Sequence, residues 1–225
     1  MKFFLDTANL DQIRHWQSLG LVQGVTTNPA LLAKEGGNPL EHLATVCDLV
    51  NGPVSAQVTQ SGTNAMIAQG KGLAAIAPNV VVKVPATAEG VQTAQALTDE
   101  GIKTNITLTF HPTQAVPFAL AGVTYLSLIV GRVEDFGLDS RQEILHTREL
   151  LDSLETDTQL LVASLRNPEQ LLNACLGGAH VLTVPPTTWD KVFENPMTLS
   201  GLGDFQRAWT GLPEDARRPY ETVGS

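Results

Sequence analysis

A lysine inside a short, valine-rich segment of the chain carries the side chain best suited to covalent chemistry. The segment is Val80-Val81-Val82-Lys83-Val84-Pro85, preceded by Pro78-Asn79. Such a valine-rich run predicts a strand that is buried on both faces. Burial disfavours an ammonium, so it favours the neutral amine, a nucleophile that condenses with ketones to form a Schiff base. The alternative is a lysine that reaches solvent or pairs with a buried acid.

Polar side chains recur where the other predicted strands end. They are Asp6, Thr26, Asn28, Gln57, Asn105, Thr107, Ser127, Arg132, Ser164 and Arg166. Single members have structural explanations: Asn28 can cap a helix, and Arg132 can pair with Glu134 or Asp135. Independent structural needs would not place a polar group at nearly every strand end. The set therefore indicates one site around Lys83, because the C-terminal ends of parallel barrel strands meet at one face.

Short apolar runs alternate with longer amphipathic ones along the chain. The predicted strands cover residues 3–7, 24–27, 54–59, 80–85, 103–110, 125–130, 160–165 and 181–184. Helical patterns separate them, and Asn28-Pro29 and Asn167-Pro168 have the residue types of an N-cap and a first helical position. Strict alternation predicts parallel strands with right-handed crossovers, and eight units predict an α/β protein with a single (β/α)8 TIM barrel. A doubly wound open sheet is the competitor, but the glycine-rich phosphate loops typical of such sheets do not occur.

The prediction for domain organisation is one domain followed by a tail. Residues 1–211 are expected to form the barrel with an extra C-terminal helix. Residues 212–225 are polar and are expected to be flexible or to pack on a neighbouring subunit. Leu202, Phe205 and Trp209 have helical spacing, and this stripe can pack either on another subunit or on its own barrel.

Bulk properties narrow the function classes. The net charge of −9 argues against nucleic-acid binding through a basic face. Cys47 and Cys175 lie far apart, and no CxxC motif or zinc spacing occurs, so we expect no metal site and a reducing cytoplasm. No stretch is long and apolar enough to span a bilayer, and the apolar start of the chain is too short for a signal peptide.

The segments that carry these polar residues resemble the motifs of the transaldolases, in particular the small microbial branch that also contains the fructose-6-phosphate aldolases. The resemblance extends from Lys2 to about Trp209, with the motifs in the same order and at matching spacing. The matching segments are Asp6, Gly24-Val25-Thr26-Thr27-Asn28-Pro29, Val82-Lys83-Val84-Pro85, Thr104-Asn105-Ile106-Thr107-Leu108, Gly131-Arg132 and Ala163-Ser164-Leu165-Arg166-Asn167.

The resemblance implies a role for each matched residue. Lys83 corresponds to the Schiff-base lysine, and Asp6 to the aspartate that engages substrate hydroxyls and assists carbon–carbon cleavage. Thr107 corresponds to the residue that holds a catalytic water, with Gln57 beside that water. Substrate contacts are implied for Thr26, Asn28, Asn105 and Ser127, and a phosphate site for Arg132, Ser164 and Arg166. The lysine is itself the electrophilic catalyst, so no cofactor is needed.

Two positions depart from the transaldolase pattern. Gln57 stands where transaldolases usually have glutamate, and it matches the aldolases. Ile129 stands where transaldolases have phenylalanine and aldolases have tyrosine, which weighs against hydrolysis of an enamine. Asn105, Ser127 and Arg166 are more similar to transaldolases.

The resemblance therefore favours a transaldolase that moves a dihydroxyacetone unit from fructose 6-phosphate or sedoheptulose 7-phosphate to an aldose phosphate. A fructose-6-phosphate aldolase that releases free dihydroxyacetone is the alternative, and a non-catalytic sugar-phosphate binding barrel is another. The expected partners are sugar phosphates and further copies of the chain, since family members of this size form pentamers and decamers. Neither nucleic acid nor a membrane is expected as a partner.

Overall fold

Eight parallel strands form a closed barrel in which β1 also pairs with β8. The computed structural model describes residues 1–224, and Ser225, the last residue of the predicted tail, lies outside the described residues. The strands are β1 (Lys2–Asp6), β2 (Val25–Thr26), β3 (Val54–Gln57), β4 (Val80–Pro85), β5 (Thr104–Thr109), β6 (Tyr125–Ile129), β7 (Gln159–Ala163) and β8 (Val181–Val184). The predicted (β/α)8 TIM barrel is confirmed.

At least one helix follows every strand. The helices are α1 (Leu10–Ser18), α2 (Pro29–Glu35), α3 (Pro39–Leu49), α4 (Thr63–Ala74), α5 (Ala88–Asp99), α6 (Ala115–Leu120, after a 3₁₀ turn at Pro112–Gln114), α7 (Val130–Asp135), α8 (Ser140–Ser153), α9 (Pro168–Leu176), α10 (Pro186–Phe193), α11 (Pro196–Thr210) and α12 (Glu214–Glu221). Across residues 1–224, no helix combines the length and the apolar character needed to cross a membrane. The chain divides into two units, Met1–Thr188, which contains the barrel, and Trp189–Ser225.

The barrel interior changes from apolar to polar along the strands. Its apolar part contains Phe4, Val81, Tyr125, Leu161 and Val181, and the rings of Phe4 and Tyr125 meet edge to face. Side chains two positions apart on a strand point to the same side. The next inward positions after these residues include polar ones on four strands, namely Asp6, Lys83, Ser127 and Thr183. One period-two pattern therefore builds both the core and the polar layer above it.

The two asparagine–proline pairs begin helices as predicted. The Asn28 side chain accepts a hydrogen bond from Leu31 N at 3.0 Å. The Asn167 side chain accepts one from Gln170 N at 2.8 Å. Each proline takes the first helical position, where its missing N–H leaves no bond unmade.

Strands β7 and β5 depart from the predicted extended structure at residues with a positive φ angle. Strand β7 was expected to continue to residue 165, but it ends at Ala163 because Ser164 adopts φ +62°. In β5, Leu108 adopts φ +63°, and the register on β6 shifts between Ile106 and Thr109. Such a bulge re-aims consecutive side chains, which alternation alone would send to opposite faces. Helix α7 was not predicted, because residues 130–135 form too short a stretch for helical periodicity.

The C-terminal unit is more helical than predicted. The helical piece expected at residues 202–209 belongs to α11, which begins at Pro196 with the Asn195 side chain as its N-cap. Helix α12 lies within the predicted tail. Trp209 joins the two helices, since its Nε1 donates to Glu221 Oε1 at 2.9 Å and its ring lies 5.1 Å from that of Tyr220.

We expect Thr104→Val to stabilise the barrel. Thr104 is fully buried in β5, and its hydroxyl has no hydrogen-bond partner among the described residues. Valine has nearly the same shape and removes the unmade bond, so the free energy of unfolding should rise by about 1 kcal/mol. Urea denaturation measures this change.

Thr158→Val is the matched control. Thr158 is also buried, but its hydroxyl donates to Val123 O at 2.8 Å, so the same substitution should lower the free energy of unfolding. Equal losses in both variants would contradict the expectation for Thr104.

Candidate active site

A cavity of about 550 Å³ lies where the barrel strands end. This volume falls within the range of about 300–1,000 Å³ that is usual for small-molecule sites. The predicted site residues that line it are Asp6, Asn28, Gln57, Lys83, Thr107, Arg132, Ser164 and Arg166. The other three, Thr26, Asn105 and Ser127, are buried. Their hydrogen bonds, described below, connect them to the strands that carry the lining residues.

Lys83 is almost completely buried, with a relative exposure of 7%. Its strand position lies opposite Gln57 on β3 and Asn105 on β5. Its Nζ donates to Thr27 O at 3.2 Å. Burial lowers the pKa of the Lys83 amine, and the negative charge of Asp6 opposes that shift. A larger fraction of the amine is therefore neutral and nucleophilic than in a solvated lysine.

Asp6 ends β1 and contributes a carboxylate to the same cavity. Its Oδ1 accepts a hydrogen bond from Thr26 Oγ1 at 2.8 Å. Burial raises the pKa of Asp6, whereas the charge of Lys83 and the hydrogen bond from Thr26 act in the opposite direction. Desolvation thus pushes the pKa values of the two groups towards each other, and this makes proton exchange at the site easier.

Asn105 and Ser127 belong to a hydrogen-bonded layer in the barrel interior. Ser127 Oγ donates to Asn105 Oδ1 at 2.6 Å, and Asn105 Nδ2 donates to Ser55 Oγ at 3.1 Å. Asn105 is completely buried and neighbours Lys83 across the β4–β5 pairing. These side chains fix one another, and their contact with substrate stays a prediction.

The positively charged side of the cavity comes from two elements. Arg132 lies on α7, and Ser164 and Arg166 lie in the loop after β7. Arg166 Nη1 contacts Asp135 Oδ1 at 2.7 Å, and this hydrogen bond holds the pKa of Asp135 below its usual range. The backbone N–H of Arg166 donates to Gln170 Oε1 at 2.6 Å. Two guanidinium groups and a hydroxyl therefore face one cavity, a donor set that suits a phosphate.

Selecting polar residues at the ends of predicted strands missed several residues that shape the site. Thr183 has a hydrogen bond to Thr26, and Ser55 has one to Asn105, so both could have been selected as polar residues of predicted strands. Leu108 and Ala163 also line the cavity, but their side chains are apolar, so a search for polar residues does not select them. The bulge in β5 lets the consecutive residues Thr107 and Leu108 both face the cavity. Because β7 ends at Ala163, Ala163 and Ser164 can also both face it.

The functional groups of the cavity define its chemistry. It combines one desolvated amine, one carboxylate, and side chains able to hold an anion. Within residues 1–224, no three His, Cys, Asp or Glu side chains are grouped so that they could hold a metal ion. The arrangement can form a Schiff base, move a proton beside it and hold an anionic group of the same molecule.

Gly131→Ala should weaken anion binding. A Cβ at Gly131 would lie 2.6 Å from Ser164 O, Ser164 Oγ and Arg166 Nε, so the loop after β7 would have to move. We expect the dissociation constant for inorganic phosphate to rise about tenfold, equivalent to about 1.4 kcal/mol. Isothermal titration calorimetry measures it.

Gly72→Ala is the control for that substitution. Gly72 lies in helix α4, and a Cβ there would meet nothing within 4 Å. Its phosphate affinity should equal that of the unsubstituted protein. An unchanged affinity in Gly131→Ala as well would contradict the expectation that the added Cβ displaces the phosphate-binding side chains of the loop after β7.

Comparison with known proteins agrees with the resemblance in the motifs. Residues 3–218 match the family described as Transaldolase/Fructose-6-phosphate aldolase. The chain is 46% identical over 211 residues to a "Probable transaldolase" of Caulobacter sp. (strain K31), covering 94% of this chain and 97% of the relative.

Two further relatives have the same description. A "Probable transaldolase" of Maricaulis maris (strain MCS10) is 47% identical over 209 residues, covering 93% of this chain and 96% of the relative. Another, of Halalkalibacterium halodurans, is 44% identical over 209 residues, covering 93% and 99%. Taken with the barrel and the lysine-centred cavity, these matches mean that the chain belongs to the transaldolase/fructose-6-phosphate aldolase family.

Proposed function

We propose that this protein is a transaldolase that transfers a dihydroxyacetone unit from a ketose phosphate to an aldose phosphate through a Schiff base on Lys83. The observation that carries the proposal is the buried Lys83 amine in a cavity that also holds Asp6, Arg132 and Arg166. Fructose 6-phosphate and sedoheptulose 7-phosphate are the proposed donors. Both have a ketone for the amine and a phosphate for the arginines.

The first step is imine formation. The neutral Lys83 amine attacks the C2 carbonyl of the ketose, the resulting carbinolamine takes up one proton from solvent and loses water, and a protonated imine remains. Burial supports this step because it disfavours the ammonium form of Lys83. The hydrogen bond from Nζ to Thr27 O restricts the rotation of the amine before substrate arrives.

The second step is cleavage of the C3–C4 bond. Asp6 takes the proton of the C4 hydroxyl, the hydroxyl carbon becomes an aldehyde, and the electron pair of the bond moves towards the iminium. The products are an aldose phosphate and a three-carbon enamine on Lys83. The raised pKa of buried Asp6 supports its role, since a base with a pKa closer to neutrality holds the proton better.

Arg132, Ser164 and Arg166 are the proposed phosphate site. Arginine forks bind phosphate oxygens through paired hydrogen bonds, and the serine hydroxyl adds a donor. The contact between Arg166 and Asp135 orients the guanidinium, with both side chains about half exposed. The same site would serve the donor and the acceptor aldehyde in turn, because both are phosphate esters.

A fructose-6-phosphate aldolase is the second candidate, and a specific observation favours it. Gln57 and Thr107 line the cavity beside Lys83, where their polar groups can hold a water. That water could protonate the enamine and lead to release of dihydroxyacetone. Ile129 lines the same cavity with an apolar side chain and favours transfer, since it lends no hydroxyl to hold the water.

We also propose a cytoplasmic homo-oligomer, either a pentamer or a decamer. Both cysteines are free, which suits a reducing compartment. Leu202 and Phe205 on α11 are 57% and 74% exposed, so this helix presents an apolar stripe that a second copy could cover. Light scattering measures the mass, and a mass of one chain would contradict the oligomer.

Borohydride trapping with fructose 6-phosphate tests the mechanism. We expect a reduced three-carbon adduct on Lys83, identified by intact mass and peptide mapping. Lys83→Arg keeps the positive charge but lacks the primary amine, so it should give no adduct. If the unsubstituted protein gives no adduct although a thermal shift reports sugar-phosphate binding, the non-catalytic binding barrel becomes the better proposal.

Ile129→Tyr should move the protein towards aldolase activity. Ile129 shares the cavity with Gln57 and Thr107, so a tyrosine hydroxyl there could help to hold the protonating water. We expect free dihydroxyacetone formation without acceptor to rise about tenfold, since a positioned proton donor contributes at least this much. Ile129→Phe is the size-matched control and should not release more dihydroxyacetone. Equal release from both variants would assign any change to side-chain size.

A further inference from the structure

A buried threonine on β8 is hydrogen-bonded to the residue that holds Asp6. Thr183 is 1% exposed, and its Oγ1 lies 2.6 Å from Thr26 Oγ1. Thr26 Oγ1 lies in turn 2.8 Å from Asp6 Oδ1. Strands β8 and β2 flank β1 on opposite sides, so the two threonines meet across the strand that carries Asp6. Contacts between alternate strands are usual within one layer of a barrel interior.

The number of hydroxyl hydrogens determines which residue is the donor in each of these two hydrogen bonds. Each threonine hydroxyl has one hydrogen to donate. With Asp6 ionised, Thr26 donates its hydrogen to Asp6 Oδ1, so the hydrogen between the threonines comes from Thr183. Thr26 therefore accepts from Thr183 while it donates to Asp6. A rotation of the Thr26 hydroxyl away from Asp6 would break this arrangement.

The hydrogen bond from Thr26 also makes the two carboxylate oxygens of Asp6 different. Oδ1 is engaged by Thr26, whereas Oδ2 makes no hydrogen bond to any side chain or backbone group of residues 1–224. Asp6 lines the cavity, so Oδ2 is the oxygen available to a substrate hydroxyl.

We propose that Thr183 is a positioning residue for carbon–carbon cleavage: its hydroxyl holds Thr26 on Asp6 Oδ1 and so leaves Oδ2 to take the proton of the substrate hydroxyl. The proposal rests on the proposed function, in which Asp6 is the base. In the balanced step, the O–H bond at C4 breaks, its proton moves to Oδ2, and the C3–C4 electron pair forms the enamine. Thr183 touches no reacting atom and acts through Thr26.

Electrostatics supports a role beyond packing. The hydrogen bond from Thr26 lowers the pKa of Asp6 against the effect of burial. A donor that itself accepts a hydrogen bond is polarised and donates more strongly. Strands β2 and β8 present only the neutral threonines to Asp6. The charged groups that share its cavity are Lys83, Arg132 and Arg166, whereas the Thr183 hydroxyl contacts Thr26.

The test compares Thr183→Val, which keeps the shape but loses the hydroxyl, with Thr183→Ser, which keeps the hydroxyl. Thr104→Val controls for replacing a buried barrel threonine, since Thr104 has no bond to Asp6 or Lys83. Each variant is assayed for borohydride trapping, for kcat and KM, and for the pH dependence of kcat/KM.

For Thr183→Val we expect a kcat about tenfold lower, because the hydrogen bond to a charged group is weakened. The acid limb of kcat/KM should move to higher pH, because Asp6 loses part of the donation that favours its ionised form. KM and the total yield of trapped adduct, six-carbon and three-carbon together, should be unchanged, since Lys83 and the arginines are untouched. Thr183→Ser and Thr104→Val should behave as the unsubstituted protein.

An unchanged kcat and pH profile in Thr183→Val would overturn the positioning role. If Thr183→Val does not fold, Thr183→Ala replaces it, and equal activity of the alanine and serine variants overturns the role. An unsubstituted protein that forms no adduct would instead overturn the proposed function, and the positioning role with it. The two failures are distinguishable because formation of the Lys83 imine, trapped as either the six-carbon or the three-carbon adduct, does not require Thr183.

Discussion

The amine of Lys83 is buried inside the barrel, and the surrounding strands exclude water from it. Its strand is almost wholly apolar, so the helix layer outside and the barrel interior both exclude solvent. Within residues 1–224, its Nζ has one hydrogen-bond acceptor, the backbone carbonyl of Thr27. Because this hydrogen bond replaces only part of the hydration that an ammonium has in water, the ammonium form is disfavoured. The nucleophilic role proposed for Lys83 thus depends on its buried position in the closed barrel.

The polar layer around the amine depends on the same closure. Buried hydroxyl and amide groups destabilise a fold unless they are hydrogen-bonded, and those of Ser55, Asn105 and Ser127 satisfy one another. Thr26 and Thr183 do the same beside Asp6. Each partner comes from a different strand, so the layer is complete only when the strands are in register. A network of this kind makes the geometry of the site sensitive to single hydroxyl groups.

Departures from regular strands widen the site. The positive φ angles of Leu108 and Ser164 let neighbouring residues of β5 and of the loop after β7 face the cavity together. Gly131 allows α7 to approach Ser164 and Arg166 more closely than any residue with a Cβ could. Backbone strain is often found at functional sites, where the surrounding structure holds it in place. In this protein, the positive φ angle of Ser164 occurs at a residue that is proposed to bind phosphate.

Local patterns in the sequence were sufficient for the barrel, for the helix caps at Asn28 and Asn167, and for the polar residues at the strand ends, because each depends on periodicity or on adjacent residues. Lys83 and Asp6 could be selected for the same reason. The bulge at Leu108, the short helix α7, the contact of Arg166 with Asp135 and the chain from Thr183 to Asp6 depend on residues distant in sequence. Their partners meet only when the barrel closes, so the tertiary structure alone decided them.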